Sequence, residues 1–303
     1  MGAGHAHGAP SGHAGGRYRL RLAAAFVLVA VFFLVELLAG ILSGSLALIS
    51  DAGHMAADVV ALGAALVATK IATRPDSTGR RTYGSYRAEV FASGLTVLIM
   101  LGVAAYVVIE AIGRIGSEPE VASSTMLIVG VIGLAINVVS MLLLRSGSKE
   151  SLNVKGAYFE VVADAAGSVG VIVAGLFVAA TGNGLWDTLI ALAIGVFVAV
   201  RAFVLGRQVL AVLGQHVPAG VELDDVVADL ESVAGVSDIH DLHIWTLTSG
   251  MNVATAHLVI STNAVPQDVL TAAQAVLADR HHIEHATLQV EETLTSQCRE
   301  VNW

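Results

Sequence analysis

Long apolar runs recur along this chain, and they constrain its fold more than any other feature of the sequence. A helix that crosses a lipid bilayer needs roughly 20 predominantly apolar residues. Five runs approach that length: 22–42, 90–109, 123–144, 165–186 and 185–205. Glu36 is the one charged residue in the first run, and Asp187 and Arg201 lie near the two ends of the last. These runs predict a membrane protein built from spanning helices.

The overall composition supports this interpretation. Of the 303 residues, 55% are hydrophobic and 14% are charged, whereas soluble domains carry about 25% charged residues. Small and aliphatic residues supply the apolar bulk, and they let transmembrane helices approach closely. The formal net charge of -9 argues against nucleic acid as a partner. The single cysteine, Cys298, excludes an intramolecular disulfide and an all-cysteine zinc site.

A sixth run is unusual because it carries polar residues. Residues 45–70 contain Asp51, His54 and Asp58 in their first half, and the uncharged remainder, 59–69, is too short to span alone. If this run crosses the membrane, the three side chains lie within the bilayer. The sequence then predicts a membrane α-helical fold with a bundle of six transmembrane helices.

Basic residues predict the orientation of this bundle, since they favour the cytoplasmic side in short loops. Thirteen of the fourteen Lys and Arg residues before position 208 fall in the N-terminal arm, in the second and fourth connections, or at the end of the last span. Arg114 is the one that falls on the opposite side. We therefore expect a multi-pass protein with both termini in the cytoplasm and no cleavable signal peptide.

The composition changes after Arg207, where an acidic tail begins. Residues 208–303 contain two basic against thirteen acidic residues. Their pattern predicts helices at 223–233 and 266–280 and strands at 239–247, 252–260 and 286–291. This is an α+β domain with two helices on one face of a three-stranded sheet. The predicted domains are a disordered cytoplasmic arm (1–16), the six-helix transmembrane domain (17–207) and a cytoplasmic domain (208–303).

Two pairs of ionisable residues occupy matching positions in the second and fifth spans. His54 and Asp58 are four residues apart, and so are Glu160 and Asp164. Each pair therefore projects from one face of its helix. At ~1.5 Å rise per residue, Asp58 lies about 18 Å and Asp164 about 16 Å from the inner end of its span. The two pairs are thus expected at the same depth near the middle of the membrane.

These four side chains offer one nitrogen and three oxygens, which can close a tetrahedral site around a small divalent cation. A charged residue at the bilayer centre costs about 2.5 to 3.5 kcal/mol even on an insertion scale, so three carboxylates require a cation or protons. The alternative reading is a set of polar residues that hydrogen-bond neighbouring helices, the role expected for Glu36 and Asn137. Asp51 either lines an outward exit or is a solvated residue at the helix start.

Four stretches carry a likeness to a known family: SLALISDAGHMAADVVAL (45–62), YGSYRAEVFASGL (83–95), NVKGAYFEVVADAAGSVGV (153–171) and IHDLHIWTLTSG (239–250). Through them, the sequence resembles the cation diffusion facilitators, specifically their zinc, cadmium and cobalt branch. The likeness covers nearly the whole chain after the N-terminal arm. The family's transport-site positions fall on His54, Asp58, Glu160 and Asp164.

The resemblance implies a homodimeric antiporter that exports Zn2+, and with it Cd2+ or Co2+, from the cytoplasm in exchange for protons by alternating access. It also implies a tail similar to a ferredoxin-like metallochaperone domain, no cofactor apart from transported or regulatory zinc, and no enzymatic activity. Because the fourth connection has no histidine, a bacterial plasma membrane is expected. An intramembrane metallohydrolase is the competing enzyme class, but the sequence contains no HExxH motif for its metal and base.

One position departs from the resemblance, since the zinc branch usually has His where this chain has Glu160. Three carboxylates make a harder donor set, which favours Mn2+, Fe2+ or Co2+ relatively more. Zn2+ is the expected substrate. One alternative is a broader or Mn2+- and Fe2+-shifted carrier, and another is a non-transporting, metal-sensing regulatory subunit.

The tail contains a second candidate metal site. His240 and His257 lie on the two strands of a predicted hairpin and Glu291 on the third strand, so their side chains can converge. The resemblance also places regulatory metal ligands at these three residues, and structural histidines are the alternative. His285 is a weaker candidate, and His243, at opposite parity to His240, is expected to face the other way.

The N-terminal arm carries His5, His7 and His13. Three histidines in a flexible segment could capture metal loosely and raise its local concentration. We therefore expect the arm to contribute to apparent affinity rather than to transport itself.

Overall fold

The computed structural model describes residues 19–72, 80–115, 117, 119–145, 152–248 and 250–293. Six long helices come first, followed by a smaller mixed region. The helices are α1 (Arg19–Ser43), α2 (Leu46–Ala72), α3 (Ala88–Gly113), α4 (Ser123–Leu144), α5 (Leu152–Thr181) and α6 (Leu185–Leu213). The mixed region contains α7 (Leu223–Glu231), β1 (Val236–Thr248), β2 (Met251–Ile260), α8 (Pro266–His281) and β3 (His285–Glu291).

The chain divides into two compact units. The helical unit comprises the described residues of Met1–Pro75 and Ala92–Gly206. The second unit comprises those of Asp76–Phe91 and Arg207–Trp303.

Five of the long helices in the described chain are long and apolar enough to cross a membrane. They are α1 over Phe26–Ser43, α3, α4, α5 over Tyr158–Thr181, and α6. Large apolar side chains on these helices face outward, as at Leu98, Ile128 and Phe203, which are 62% to 67% exposed. Polar side chains such as Asn137 are buried instead. This distribution is the one that a lipid environment favours, and the chain is a multi-pass membrane protein.

Small residues let the helices of this unit approach closely. A Cβ atom added at Gly40 of α1 would lie 2.9 Å from Ile49 Cγ1 on α2. One added at Gly133 of α4 would lie 2.6 Å from Phe32 Cζ on α1. Asn137 Nδ2 donates a hydrogen bond to Ser168 Oγ at 3.3 Å, which confirms its expected role between helices. Such contacts are typical of helix packing in membranes.

The connection between α5 and α6 corrects two predicted boundaries. The predicted run 165–186 is wrong at its end, because α5 ends at Thr181 and Gly182 adopts a positive φ of 69°. Asn183 Oδ1 then accepts the Leu185 N–H at 2.9 Å at the start of α6. Helix α6 continues to Leu213, beyond the predicted end at 205. Apolar runs alone set the predicted bounds. The uncharged turn at 182–184 extended the run of α5, whereas Arg207 and Gln208 ended the run of α6 too early.

A buried carboxylate fixes the start of α2. Asp187 of α6 is fully buried and accepts hydrogen bonds from Ser45 Oγ at 2.6 Å, Leu46 N at 2.7 Å and Ala47 N at 3.1 Å. Its second oxygen also lies 3.4 Å from an Arg114 nitrogen. Helix N-termini attract anions, because their first N–H groups lack partners within the helix. Asp187 therefore caps the helix that carries His54 and Asp58.

The second unit contains a sheet in the order β1-β2-β3, with an antiparallel β1–β2 pair and a parallel β2–β3 pair. Leu230 of α7 and Leu277 of α8 pack into one core with Ile244 and Leu258 of the sheet. Two helices thus cover one face of three strands, as the sequence predicts. The ferredoxin-like comparison stays a prediction.

Residues 80–91 also belong to this second unit. Thr248 Oγ1 at the end of β1 donates a hydrogen bond to Glu89 Oε2 at 2.7 Å. The predicted cytoplasmic domain, 208–303, does not include this segment, and the three predicted domain ranges stay predictions.

Substitution Asp187→Ala is expected to destabilise the protein by about 2 kcal/mol, because it leaves the first N–H groups of α2 without a buried acceptor. Thermal unfolding of the detergent-purified protein measures this change. Glu110→Ala is the matched control, since Glu110 is a partly exposed partner of the same Arg114, and its loss should cost about 0.5 kcal/mol or less. Equal shifts in the two variants would contradict the capping role.

Candidate metal sites

Three of the four predicted intramembrane ligands converge between α2 and α5. His54 and Asp58 lie one turn apart on α2, and Asp164 faces them from α5. His54 Nε2 lies 3.4 Å from Asp164 Oδ1 and 3.7 Å from Asp58 Oδ2. One donor atom from each residue lies within 4.8 Å of the other two. A single small ion between the two helices can contact all three side chains.

This group is buried and poorly satisfied without an ion. His54 and Asp164 are 2% and 3% exposed. Within the described parts of the chain, Asp58 Oδ2 and Asp164 Oδ1 have no hydrogen-bond partner. Burying carboxylate oxygens without partners is unfavourable, and a bound cation removes the penalty. One nitrogen and two carboxylates fit a divalent transition metal such as Zn2+.

Glu160, the fourth predicted ligand, does not join this group. Its Oε2 atom accepts a hydrogen bond from Nη2 of Arg201 on α6. Nη1 of the same guanidinium group lies 2.9 Å from His54 Nε2. The ring of Phe197, one turn earlier on α6, lies 5.9 Å from the guanidinium carbon of Arg201 and 6.0 Å from the His54 ring. Arg201 therefore bridges the two predicted pairs.

Sequence reasoning missed the role of Arg201. The predicted last span ended at residue 205, which made Arg201 resemble a basic residue at a cytoplasmic helix end. Because α6 continues to Leu213, Arg201 lies about 18 Å from that end at 1.5 Å per residue. A charged residue this far inside an apolar helix is itself a signal of function.

Asp51 lies inside the bundle, so its reading as a solvated residue at the helix start is wrong. The residue is 2% exposed. A Cβ atom added at Gly167 of α5 would lie 2.2 Å from Asp51 Oδ1, so the absence of a side chain at Gly167 makes room for this carboxylate. Its role along an outward exit stays a prediction.

A second group of possible ligands lies on one face of the sheet. His257 Nδ1 of β2 lies 3.0 Å from Glu291 Oε1 of β3, and His240 Nε2 of β1 lies 3.7 Å from Glu291 Oε2. Donor atoms of the three residues lie within 4.8 Å of one another. They converge because His240 pairs directly with His257 across the antiparallel strands. The opposite face of the sheet forms the core.

The predicted direction of His243 is wrong because β1 contains a bulge. Asp241 has a positive φ of 54°, and the strand pairing passes from His240–His257 to His243–Thr255. Three positions on β1 therefore match two on β2, which brings His243 to the same face as His240. Asp241 places one oxygen 3.0 Å from His243 Nε2 and the other 3.8 Å from His257 Nε2. Asp241 and His243 therefore lie next to the group formed by His240, His257 and Glu291.

The weaker candidate, His285, lies outside this group. Its ring packs edge-on against Tyr83, with 5.6 Å between the ring centroids. His5, His7 and His13 lie outside the described residues.

Comparisons with known proteins agree with this arrangement of two units. A family model described as the cation efflux transmembrane domain matches residues 22–213. A second model, described as the cytoplasmic domain of cation efflux proteins, matches residues 218–293.

Individual relatives match along most of their length. The metal cation efflux system protein CzcD of Cupriavidus metallidurans is 44% identical over 96% of this chain and 90% of its own. A cadmium, cobalt and zinc/H(+)-K(+) antiporter of Bacillus velezensis is 33% identical over 95% of this chain and 92% of its own. The zinc transporter ZitB of Escherichia coli is 34% identical over 89% of this chain and 87% of its own.

Removing one of the buried carboxylates of α2 and α5 should stabilise the metal-free protein. For Asp58→Asn we expect a gain of about 1 kcal/mol or more, because it removes the charge of a buried carboxylate whose Oδ2 atom accepts no hydrogen bond from the described residues. When His240→Ala and His257→Ala are also present, so that the group on the sheet does not bind Zn2+, the same variant should lose the rise in unfolding temperature that Zn2+ produces in the protein that keeps Asp58. Thermal unfolding with chelator and with Zn2+ measures both effects. Glu120→Gln, at an exposed position, is the control, and a Zn2+ response retained in Asp58→Asn would contradict the site.

Proposed function

The chain belongs to the cation efflux, or cation diffusion facilitator, family, and we propose that it exports Zn2+, and with it Cd2+ or Co2+, from the cytoplasm in exchange for protons. One observation carries the proposal: His54, Asp58 and Asp164 converge inside the helical unit with unsatisfied carboxylate oxygens. Its relatives named as zinc transporters and as a cadmium, cobalt and zinc antiporter support this choice of substrates.

Coupling to protons follows from the chemistry of the donor set. A metal ion binds the neutral imidazole and the ionised carboxylates, so metal and protons exclude each other at the same atoms. Cytoplasmic metal would displace protons from an inward-open site, and outside protons would release the metal after the site reorients. Moving a 2+ ion outward across a membrane potential of about 100 mV, negative inside, costs about 4.6 kcal/mol of electrical work. Two protons moving inward cancel that electrical cost.

The proposed topology adds α2 as a sixth span. Asp187 caps the first turn of α2. The polar residues Asp51 and His54 of this helix are buried, and Asp58 lies beside His54. From six spans and the bias of basic residues, we infer that both termini lie in the cytoplasm. The bacterial organisms of the named relatives support a bacterial plasma membrane.

For the second unit we propose a cytoplasmic regulatory role. His240, His257 and Glu291 offer two nitrogens and carboxylate oxygens, a donor set suited to Zn2+. The matched family model is that of a cytoplasmic domain, and the sheet and helices of this unit are proposed to join two chains into a homodimer. Metal binding at this site would make transport depend on the metal concentration in the cytoplasm.

The Mn2+- or Fe2+-shifted alternative depends on Glu160 as a third carboxylate ligand. In this structure the Glu160 carboxylate pairs with Arg201 and lies outside the group of three donors. The remaining donors, one nitrogen and two carboxylates, give no added reason to prefer the harder metals. Zn2+ is therefore retained as the proposed substrate.

Purified protein in proteoliposomes with an imposed pH gradient should move Zn2+ across the membrane, and Asp58→Ala should reduce the flux to that of protein-free vesicles. The substitution removes one of three ligands at the proposed site. Asp279→Ala, at an exposed carboxylate of α8, should transport as the parent does. A Zn2+ flux indifferent to the pH gradient would instead indicate a channel or a uniporter.

Loss of the second group should remove one bound metal ion per chain without removing transport. We expect His240→Ala with His257→Ala to lower the Zn2+ stoichiometry in equilibrium dialysis by one per chain, because two of its three donors are lost. His216→Ala, at an exposed histidine of the same unit, is the control. An unchanged stoichiometry would contradict a metal site on the sheet.

A further inference from the structure

Arg201 contacts the histidine nitrogen to which a metal ion at the proposed transport site would bind. Its guanidinium group contacts His54 Nε2 and Glu160 Oε2 at the same time, through two different nitrogens. His54 Nε2 is also the atom that lies 3.4 Å from Asp164 and 3.7 Å from Asp58. The atom at the centre of the proposed transport site is thus already engaged by a cation of the protein itself.

The chemistry of arginine means that His54 Nε2 cannot contact Arg201 and bind a metal ion at the same time. A guanidinium group has no acceptor and keeps its charge in proteins, so it donates to His54 Nε2, which must present its lone pair. A metal ion needs that same lone pair for coordination. The imidazole nitrogen therefore serves either Arg201 or the metal.

Glu160 and Phe197 hold the guanidinium in this position. Glu160 is 45% exposed and forms an ion pair with Arg201, and an arginine–carboxylate contact of this kind is a strong charge-assisted one. The Phe197 ring lies beside both Arg201 and His54. A basic side chain that merely extended toward the head groups would turn away from His54, whereas Arg201 is only 26% exposed.

We propose that Arg201 is a tethered cation that occupies the empty transport site and that an incoming metal ion must displace. The inference rests on the proposed function, since it assigns the competitor at that same site. In the empty carrier, Arg201 balances part of the charge of Asp58, Asp164 and Glu160. When metal binds, the guanidinium group releases His54 Nε2 but keeps its ion pair with Glu160. Arg201 thereby lowers the affinity of the site for metal and favours release.

The test is the affinity of the full-length, detergent-purified protein for Zn2+ alone, measured by isothermal titration calorimetry. His240→Ala and His257→Ala are present throughout, so that the second site does not contribute. Arg201→Leu should bind Zn2+ about tenfold more tightly or better, as expected when a charged hydrogen-bonding competitor is removed. Arg201→Gln keeps the length of the side chain without its charge and should also bind more tightly. A purely structural arginine would give the opposite result, a loss of affinity.

Arg207→Leu is the matched control, because Arg207 is an exposed cation on the same helix, and it should bind Zn2+ as the background protein does. Unchanged or weaker binding in Arg201→Leu and Arg201→Gln would overturn the inference. Asp58→Ala in the same assay separates the two proposals. If Asp58→Ala still binds Zn2+ normally, the proposed transport site fails; if it loses binding while the Arg201 variants match the background, only the role of Arg201 fails.

Discussion

The structure depends on the placement of ionisable groups inside helices whose outer faces are apolar. His54, Asp58 and Asp164 cannot face lipid without a large cost, so the helices that carry them must turn these faces toward each other. Close packing at Gly40, between α1 and α2, and the cap of Asp187 on α2 hold that helix in place. Among the described residues, Asp58 Oδ2 and Asp164 Oδ1 accept no hydrogen bond, and a small cation bound between them would remove this penalty.

The same physical argument explains why Arg201 belongs with the site. Under the proposed function, the charge of two carboxylates beside a histidine has to be balanced in every state of the transport cycle, and metal or protons would balance it in only some of them. The guanidinium group of Arg201, which pairs with Glu160, is proposed to balance it in the empty state, next to the nitrogen proposed to bind metal. In the second unit, the possible ligands of the sheet come together through strand pairing, which brings His240 opposite His257.

Local spacing was enough to predict much of this arrangement. The i, i+4 spacing of His54 and Asp58, and of Glu160 and Asp164, placed four side chains at one depth, and three of them converge. Features that depend on long-range contacts could not be predicted. Arg201 reaches His54 from a position 147 residues away, and the bulge at Asp241 reversed the parity on which the direction of His243 was judged. Helix ends were also misplaced, because the uncharged turn at 182–184 continues the apolar run of α5, while the polar residues Arg207 and Gln208 interrupt that of α6.

Locating the bound ion directly tests the central claim, that α2 and α5 hold the transported metal. Anomalous scattering from the full-length protein crystallised with Zn2+ would give its position. We expect a peak between His54, Asp58 and Asp164, at about 2.0–2.2 Å from a nitrogen or oxygen of each residue, with Arg201 withdrawn from His54. A peak at His240, His257 and Glu291 with none between α2 and α5, at saturating Zn2+, would contradict it.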